Sequence, residues 1–342
     1  MPEIIRPVDL EEDRPVLTEL LSRNLGPNAA GPRFDWLYLQ NPHGSARAWV
    51  AIEESSGRIT GAAALFPRKL SIGGTPQLGY VLGDFCIDRR YRSLGLALKL
   101  QRASLEHVRS TSSALGCDFP SERMMAIYRR LQVAPTGELV RWAKPLRGER
   151  MIRKLVKSAR WTEKLATPVN KLLEWKDRKF RSNWGWLIAE HRGECGEEFT
   201  ELMSRVSSGY TCVERSAEYL NWRYLSHPLV RHRMLTARHG NELLGYLVFS
   251  ETSEDARIVD LFGLPSAAMW TSLVCGVTTL LHVRGITTVS FPALATNPWT
   301  GLLKKWGFFP REGRPVVICG HTLACGKHPG HDWFLTDGDR ES

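Results

Sequence analysis

The sequence predicts a mixed α/β protein built from two related halves. Short apolar strand-like runs alternate with amphipathic helical stretches along the whole chain, an order that only an α/β class accommodates. The segment Phe34-Asp-Trp36-Leu-Tyr38-Leu-Gln-Asn41-Pro42 returns as Leu220-Asn-Trp222-Arg-Tyr224-Leu-Ser-His227-Pro228, and each copy is followed by a hairpin whose second strand opens with Gly61-Ala-Ala or Gly245-Tyr-Leu. Recurrence at the same relative place implies two copies of one fold. At 342 residues, 43% apolar and 24% charged, the chain is long enough to bury the cores of two domains.

In chain order, Glu3 to Val8 reads as a strand and Asp9 to Asn24 as a helix, with Asp9 as its cap and Glu12 in the capping-box position. Gly26-Pro and Gly31-Pro end that helix. A short helix from Phe34 to Leu39 stops at Asn41-Pro42; Ala48 to Ile52 and Ile59 to Leu65 form a hairpin around Ser55-Ser-Gly57, and Tyr80 to Ile87 is the next strand. A helix follows with apolar positions at Leu96, Leu98, Leu100, Ala103 and Leu105. Then come a strand near Ala114 to Cys117, a helix carrying Tyr128 and a strand near Leu139 to Ala143. In the second half Ile258 to Phe262 is the central strand, Trp270 to Val283 its helix and Thr287 to Phe291 the next strand. Asn297 to Phe308 is the equivalent of the Tyr128 helix.

The most chemically suggestive stretch is Gly83 to Ala97. Leu82, Phe85 and Ile87 form a strand end, Arg89 to Arg92 are too polar to continue it, and the helix begins just beyond. Backbone N–H groups at the start of a helix lack intrahelical partners and sit at the positive end of its dipole, so a pyrophosphate is well placed there. Gly95 lets the backbone approach closely and Ala97 adds almost no bulk.

Ile87-Asp-Arg-Arg-Tyr-Arg92-Ser-Leu-Gly95-Leu-Ala97 resembles the acyl-CoA signature of the GNAT N-acyltransferase superfamily, an apolar strand end followed by Arg/Gln-x-x-Gly-x-Gly/Ala, with Arg92, Gly95 and Ala97 in the three diagnostic places. Ser121-Glu-Arg-Met-Met-Ala-Ile-Tyr128-Arg-Arg-Leu131-Gln132-Val133 is similar to the family's Asn-x-x-Ala-x-x-Leu-Tyr-x-x-Leu-Gly-Phe, departing from it at Ser121 and at Gln132-Val133. The resemblance implies two GNAT-like domains, each a mixed, largely antiparallel twisted sheet flanked by helices. The second keeps Gly307-Phe308 but has no Arg-x-x-Gly-x-Gly/Ala between Gly263 and Ala268, only Leu264-Pro265-Ser266, and no tyrosine near Leu303 or Lys304, so it reads as a degenerate copy. In tandem GNAT proteins the decayed half usually shapes the acceptor pocket.

The boundaries then fall at 1–147 for the domain carrying the signature, 148–194 for a basic linker, 195–320 for the degenerate domain and 321–342 for a polar C-terminal tail. From Gly148 to Ser182 the linker holds eleven Lys/Arg against four Asp/Glu, +7 of the chain's formal +10. Ile152, Leu155, Val156 and Ala159 recur at helical spacing, and Pro168 is expected to divide the stretch into two helices. Its plain reading is a solvated helix packed between domains. A docking surface for an acidic acyl-carrier protein is the functional reading. Nucleic acid ranks behind that, as does a membrane surface, which Trp161, Trp175, Trp184 and Trp186 keep in view.

The N-terminus shows neither a basic n-region nor a long apolar core, and no stretch is long and apolar enough to span a bilayer, so a cytoplasmic location is expected. Seven scattered cysteines, never paired as Cys-x-x-Cys, suit reduced thiols. Cys319, His321, Cys325, His328, His331 and Asp332 crowd together near the C-terminus but match no zinc module, and no metal is expected.

Acyl transfer from a thioester to an amine needs a fixed donor, a neutral amine, oxyanion stabilisation and a proton for the leaving thiolate. By resemblance, the main chain at Phe85, Cys86 and Ile87 pairs with the pantetheine arm of acetyl-CoA or another acyl-CoA and polarises the thioester carbonyl. The backbone of Arg92, Ser93, Leu94, Gly95, Leu96 and Ala97 holds the pyrophosphate, and Tyr128 protonates the departing sulfur directly or through a water. Asp84, on the strand beside the thioester, is the candidate base, unless strand alternation turns it away; His43, Glu122 and His227 stand behind it. The acceptor implied is the primary amine of a small molecule such as an amino sugar or amino acid. Two further readings remain: an aminoacyl-tRNA- or carrier-protein-dependent transferase of Fem-like type, favoured by the basic linker, and a non-catalytic GNAT-like binding protein.

Overall fold

The computed structural model describes residues 3–111, 114–155, 159–178, 185–320 and 332–341. The first half runs β1 (Glu3–Pro7), α1 (Arg14–Leu25), a single turn α2 (Pro32–Phe34) that passes into a π-helical turn (Asp35–Leu39), then β2 (Arg47–Glu53), β3 (Ile59–Ile72) and β4 (Thr75–Ile87). It continues with α3 (Leu94–Ser110), β5 (Leu115–Asp118), α4 (Glu122–Arg130) and β6 (Gly137–Pro145). Helices α5 (Glu149–Leu155) and α6 (Ala159–Arg178) follow. The second half repeats the order: β7 (Leu187–Glu190), α7 (Glu197–Val206), β8 (Tyr210–Val213), α8 (Ala217–Leu220) with its own π-helical turn (Asn221–Leu225), β9 (His232–His239), β10 (Glu242–Glu251), β11 (Asp255–Gly263), α9 (Ala267–Val283), β12 (Thr288–Leu294), β13 (Phe309–Gly320) and the short β14 (Asp332–Phe334).

One continuous, mostly antiparallel sheet crosses both halves in the order β1-β2-β3-β4-β5-β13-β6-β12-β11-β10-β9-β7. Its centre is a strand exchange. β13, the last long strand of the second half, pairs with β5 of the first, while β6 of the first half pairs with β12 of the second, and β13 and β6 also pair with each other. The two halves meet at the repeated motif, where Trp36 and Trp222 stack with ring centroids 4.6 Å apart. Each indole N–H donates to the other's main-chain carbonyl, at 2.9 and 3.0 Å, the reciprocal pattern of a pseudo-two-fold axis.

Several sequence expectations shift locally. Asp9 accepts N–H bonds from Glu11 and Glu12 and so shapes a turn, and α1 starts later, at Arg14, where Pro15 fits the first helical turn. Pro168 lies inside α6 and does not end it; a helix carries an internal proline at the loss of one backbone bond. The expected helix over 297–308 is only a 3₁₀ turn at Thr300–Leu302, since Pro298, Gly301 and a left-handed Gly307 (φ 85°) disfavour a longer one. Trp333, Phe334, Leu335 and Asp339, which fall in the stretch expected as a polar tail, are buried.

No helix among the described residues is long and apolar enough to cross a membrane. His321, Cys325, His328 and His331 lie outside the described residues, as does Trp184.

Candidate active site

β4 and β5 pair in parallel only over Gly79–Val81 and Leu115–Cys117, and beyond that they part. The gap between them is a cleft of about 710 Å³ whose walls include Phe85, Cys86 and Ile87 of β4, Asp118 after β5, and Arg92 to Leu94 and Ala97 at the start of α3. β4 stays bonded to β3 along its other edge as far as Ile87, so its main-chain groups on the β5 side face the cleft without a strand partner. At the same place the β3–β4 register shifts: Asp84 and Phe85 together oppose Ala63, and Asp84 takes the left-handed conformation at φ 47°. A bulge of this kind re-aims the backbone that follows it.

At the mouth of the cleft, Ser93 caps α3, its hydroxyl accepting from Leu96 N–H (3.2 Å), and its carbonyl accepts from Ala97 N–H. Leu94 and Gly95 are exposed, and their N–H groups, in the first turn of α3, have no intrahelical acceptor. A Cβ on Gly95 would meet open space, with no neighbouring atom within 4 Å, so packing does not require glycine there. Arg92 is tied back by its Nε donating to Ile87 O (3.1 Å), and Leu96 puts its side chain into the core, so any part Leu96 plays is through its backbone.

Asp84, the candidate base, is committed elsewhere. Arg33 grips its carboxylate with two bonds of 2.9 and 2.8 Å and Tyr38 Oη donates a third at 2.9 Å, with only 4% of the Asp84 side chain exposed. The second half repeats this unit: Asp260 accepts from Arg215, Tyr224 and Tyr246. His43 stacks on Tyr219 and accepts from Lys69 N–H, and His227 accepts from Leu229 and Val230 N–H; burial holds both near a pKa of about 3. Neither they nor Glu122 lines the cleft.

Tyr128 is fully buried. Its hydroxyl donates to Asp118 Oδ2 at 2.6 Å and accepts from Gln101 Nε2 at 3.0 Å, which sets it one side chain back from the cleft wall. Asp118 and Gln101 were not singled out from sequence, although a lone acid at the end of a predicted strand is a signal of sorts. Burial pushes the Asp118 carboxyl up to about 7, the nearby Glu341 carboxylate adds to the rise, and the Tyr128 bond opposes it. Glu341 enters the cleft from the far end of the chain, and nothing local in the sequence marks it.

The corresponding place in the second half is closed. β11 and β12 pair over Asp255–Arg257 and Thr288–Ser290 and then part as β4 and β5 do. The gap is filled by Trp299, fully buried and stacked on Phe291 at 4.4 Å, and its indole N–H donates to Leu261 O (3.1 Å). Leu261 is the counterpart of Phe85 in the repeat, so a side chain occupies the main-chain position that the open cleft leaves free.

The chain thus holds two parted strand pairs, the first with a helix N-terminus beside an open cleft and the second with its gap filled by Trp299. Residues 15–134, which contain that cleft's strands and α3, match the acetyltransferase (GNAT) domain model. Over that stretch the chain carries a domain similar to GNAT acetyltransferases. In fold it is similar to a probable N-acyltransferase from Enterococcus faecalis V583 (TM-score 0.65, 12% identity, 93% of this chain and 72% of that one). A tandem GNAT protein from the clavulanic acid biosynthesis pathway aligns over 94% of this chain and 100% of its own (TM-score 0.57, 13% identity). Saccharomyces cerevisiae N-myristoyltransferase, solved with bound myristoyl-CoA, aligns over 93% and 84% (TM-score 0.57, 12% identity). No curated protein matches the chain by sequence.

Proposed function

We propose that the protein moves an acyl group, acetyl in the first instance, from a CoA thioester to the primary amine of a small molecule such as an amino sugar or amino acid, by direct attack. The observation that carries this reading is the contrast between the two strand gaps: the one beside Arg92-Ser-Leu-Gly95-Leu-Ala97 is open, and its counterpart is filled by Trp299. In this reading the unpaired main chain of Phe85 to Ile87 receives the pantetheine arm, and the first turn of α3 takes the pyrophosphate. The bulge at Asp84 and Phe85 presents a backbone N–H to the thioester carbonyl, where a fixed dipole stabilises the oxyanion. Asp84 holds the bulge through Arg33 and Tyr38. Tyr128 acts on the leaving group through Asp118.

Direct attack is supported by the thiol nearest the donor. Burial pushes Cys86 up to about 12, so it is no nucleophile at neutral pH. The stretch 1–147 then serves as the donor domain. The second half, with the C-terminal segment, forms the opposite side of the acceptor space.

Titrating the protein with CoA while following thermal unfolding tests the reading. CoA should raise the midpoint, and Gly95→Glu should abolish the rise without lowering the ligand-free midpoint, because a side chain there meets only open space. Absence of any CoA effect on the wild type refutes the proposal.

A further inference from the structure

Three carboxyl groups line the open cleft; Arg33 and Tyr38 hold Asp84, which leaves two. Asp118 ends β5, with Tyr128 donating to one of its oxygens. Glu341 packs its methylenes on Gly83, where an added Cβ would stand 2.7 Å from Glu341 Cγ, and its Oε2 is buried with no hydrogen-bond partner. The segment that delivers Glu341 is held by the second half. Arg215 pairs with Asp339 (3.0 Å) and Arg257 with Asp337 (2.6 Å), while Arg223 donates to Gly338 O and Arg340 O at 2.6 and 2.8 Å. Tyr128, by contrast, has its hydroxyl proton directed at Asp118 and does not line the cleft.

We propose that Asp118 and Glu341 are the acid and base of acyl transfer, Glu341 taking the proton of the attacking amine and Asp118 giving one to the departing CoA sulfur, with Tyr128 a positioning residue. This rests on the reading of the cleft as the acyl-CoA site. The amine nitrogen bonds to the carbonyl carbon and the C–S bond breaks with its electron pair going to sulfur. The N–H proton passes to Glu341, the Asp118 proton passes to sulfur, and exchange with water through the open cleft restores both groups. Burial first, and then a neighbouring carboxylate, favour the protonated form of Asp118, the form a general acid needs. Glu341 and Arg340 face it from the C-terminal segment, Tyr128 from α4, Cys319 from β13 and Cys117 from its own strand, and Arg123 lines the cleft nearby. Burial leads their combined effect, which puts Asp118 near 7.

The test uses the full chain, acetyl-CoA, and glucosamine, glycine and hydroxylamine as acceptors, reading release of the CoA thiol above the uncatalysed rate, with CoA binding followed by thermal shift. Asp118→Asn and Glu341→Gln should both keep CoA binding. Glu341→Gln should lose about a hundredfold with the amine acceptors, and hydroxylamine, already neutral at pH 7, should recover most of that loss because it needs no base. Asp118→Asn should lose about a hundredfold with every acceptor and should lose the fall in rate that the wild type shows above about pH 7. Gly83→Ala should behave like Glu341→Gln, because the added methyl displaces the Glu341 side chain. Intact CoA binding with unchanged rates in Asp118→Asn or Glu341→Gln overturns the proposal, as does intact CoA binding without turnover of any acceptor by the wild type. Loss of CoA binding in the wild type itself removes the reading on which it rests, and the proposal with it. Should Asp118→Asn fail to fold, carbon NMR of wild-type protein labelled at aspartate carboxyls decides: a carboxyl titrating near 7 supports the assignment, and none above the ordinary aspartate range overturns it.

Discussion

Among the described residues, two non-glycine residues adopt the left-handed backbone, Asp84 and Gln132. Gln132 follows α4 where its counterpart in the second half is Gly307, and the residue after each bonds back in the same way, Val133 N–H to Tyr128 O and Phe308 N–H to Leu303 O. Gln132→Gly should therefore stabilise the protein by about 0.5–1 kcal/mol, the relief of left-handed strain less the entropy a glycine loses, measured by urea unfolding. Arg33→Met should cost about 3–5 kcal/mol in the same measurement, because it leaves the Asp84 carboxylate buried without its bidentate partner. Asp118 imposes a pH dependence whose sign follows from its raised pKa. Between the ordinary aspartate value of 3.8 and about 7 the folded chain holds a proton that the unfolded chain has released, so stability falls as pH rises through that window and the loss is complete above it. Asp118→Asn should flatten that fall, read from unfolding midpoints at pH 4 and pH 8. None of these side-chain commitments was legible in advance. Asp84 was visible as an acid beside the thioester position, but its partners Arg33 and Tyr38 lie far away in sequence and meet it only in the fold.

At the scale of elements, the two halves differ in their strand gaps, one open and the other filled. The signature Arg92-Ser-Leu-Gly95-Leu-Ala97 and the register of Tyr128 marked the first gap, and the lack of that signature after Gly263 marked the second as degenerate. What fills the second gap was not readable. The stretch from Asn297 was expected as a helix, and it instead folds Trp299 inward onto Leu261 O. Trp299→Ala should cost about 3–5 kcal/mol from the cavity it opens. It should not create a second nucleotide site, since the turn at Leu264-Pro265-Ser266 lacks the glycine-bearing cradle. Calorimetric titration with CoA should give one site per chain in wild type and variant alike.

Across the whole molecule, the strand exchange makes the halves interdependent. β5 beside the open cleft is completed by β13 from the second half, and β12 is completed by β6 from the first. A fragment comprising residues 1–147 would expose the β5 edge and the Trp36 face. It should show no cooperative thermal transition by circular dichroism, while the full chain shows one. The C-terminal segment follows the same logic, anchored by Arg215, Arg223 and Arg257 of the second half while Glu341 reaches the open cleft beside the first.

The sequence by itself determined the α/β class, the internal duplication, the one intact donor signature and the tyrosine in register with it, because each of these is written in local spacing: periodicity, a glycine-bearing turn, a repeated Trp-x-Tyr-Leu. Only the tertiary structure decided which carboxylates are tied to other side chains and which line the cleft. Asp84 is bound by Arg33 and Tyr38, Asp118 faces the cleft with Tyr128 behind it, and Glu341 arrives from the other end of the chain. Whether an acidic side chain is a catalyst or a structural ion depends on burial and partners brought together over long stretches of chain, and those are set by how the two halves share one sheet.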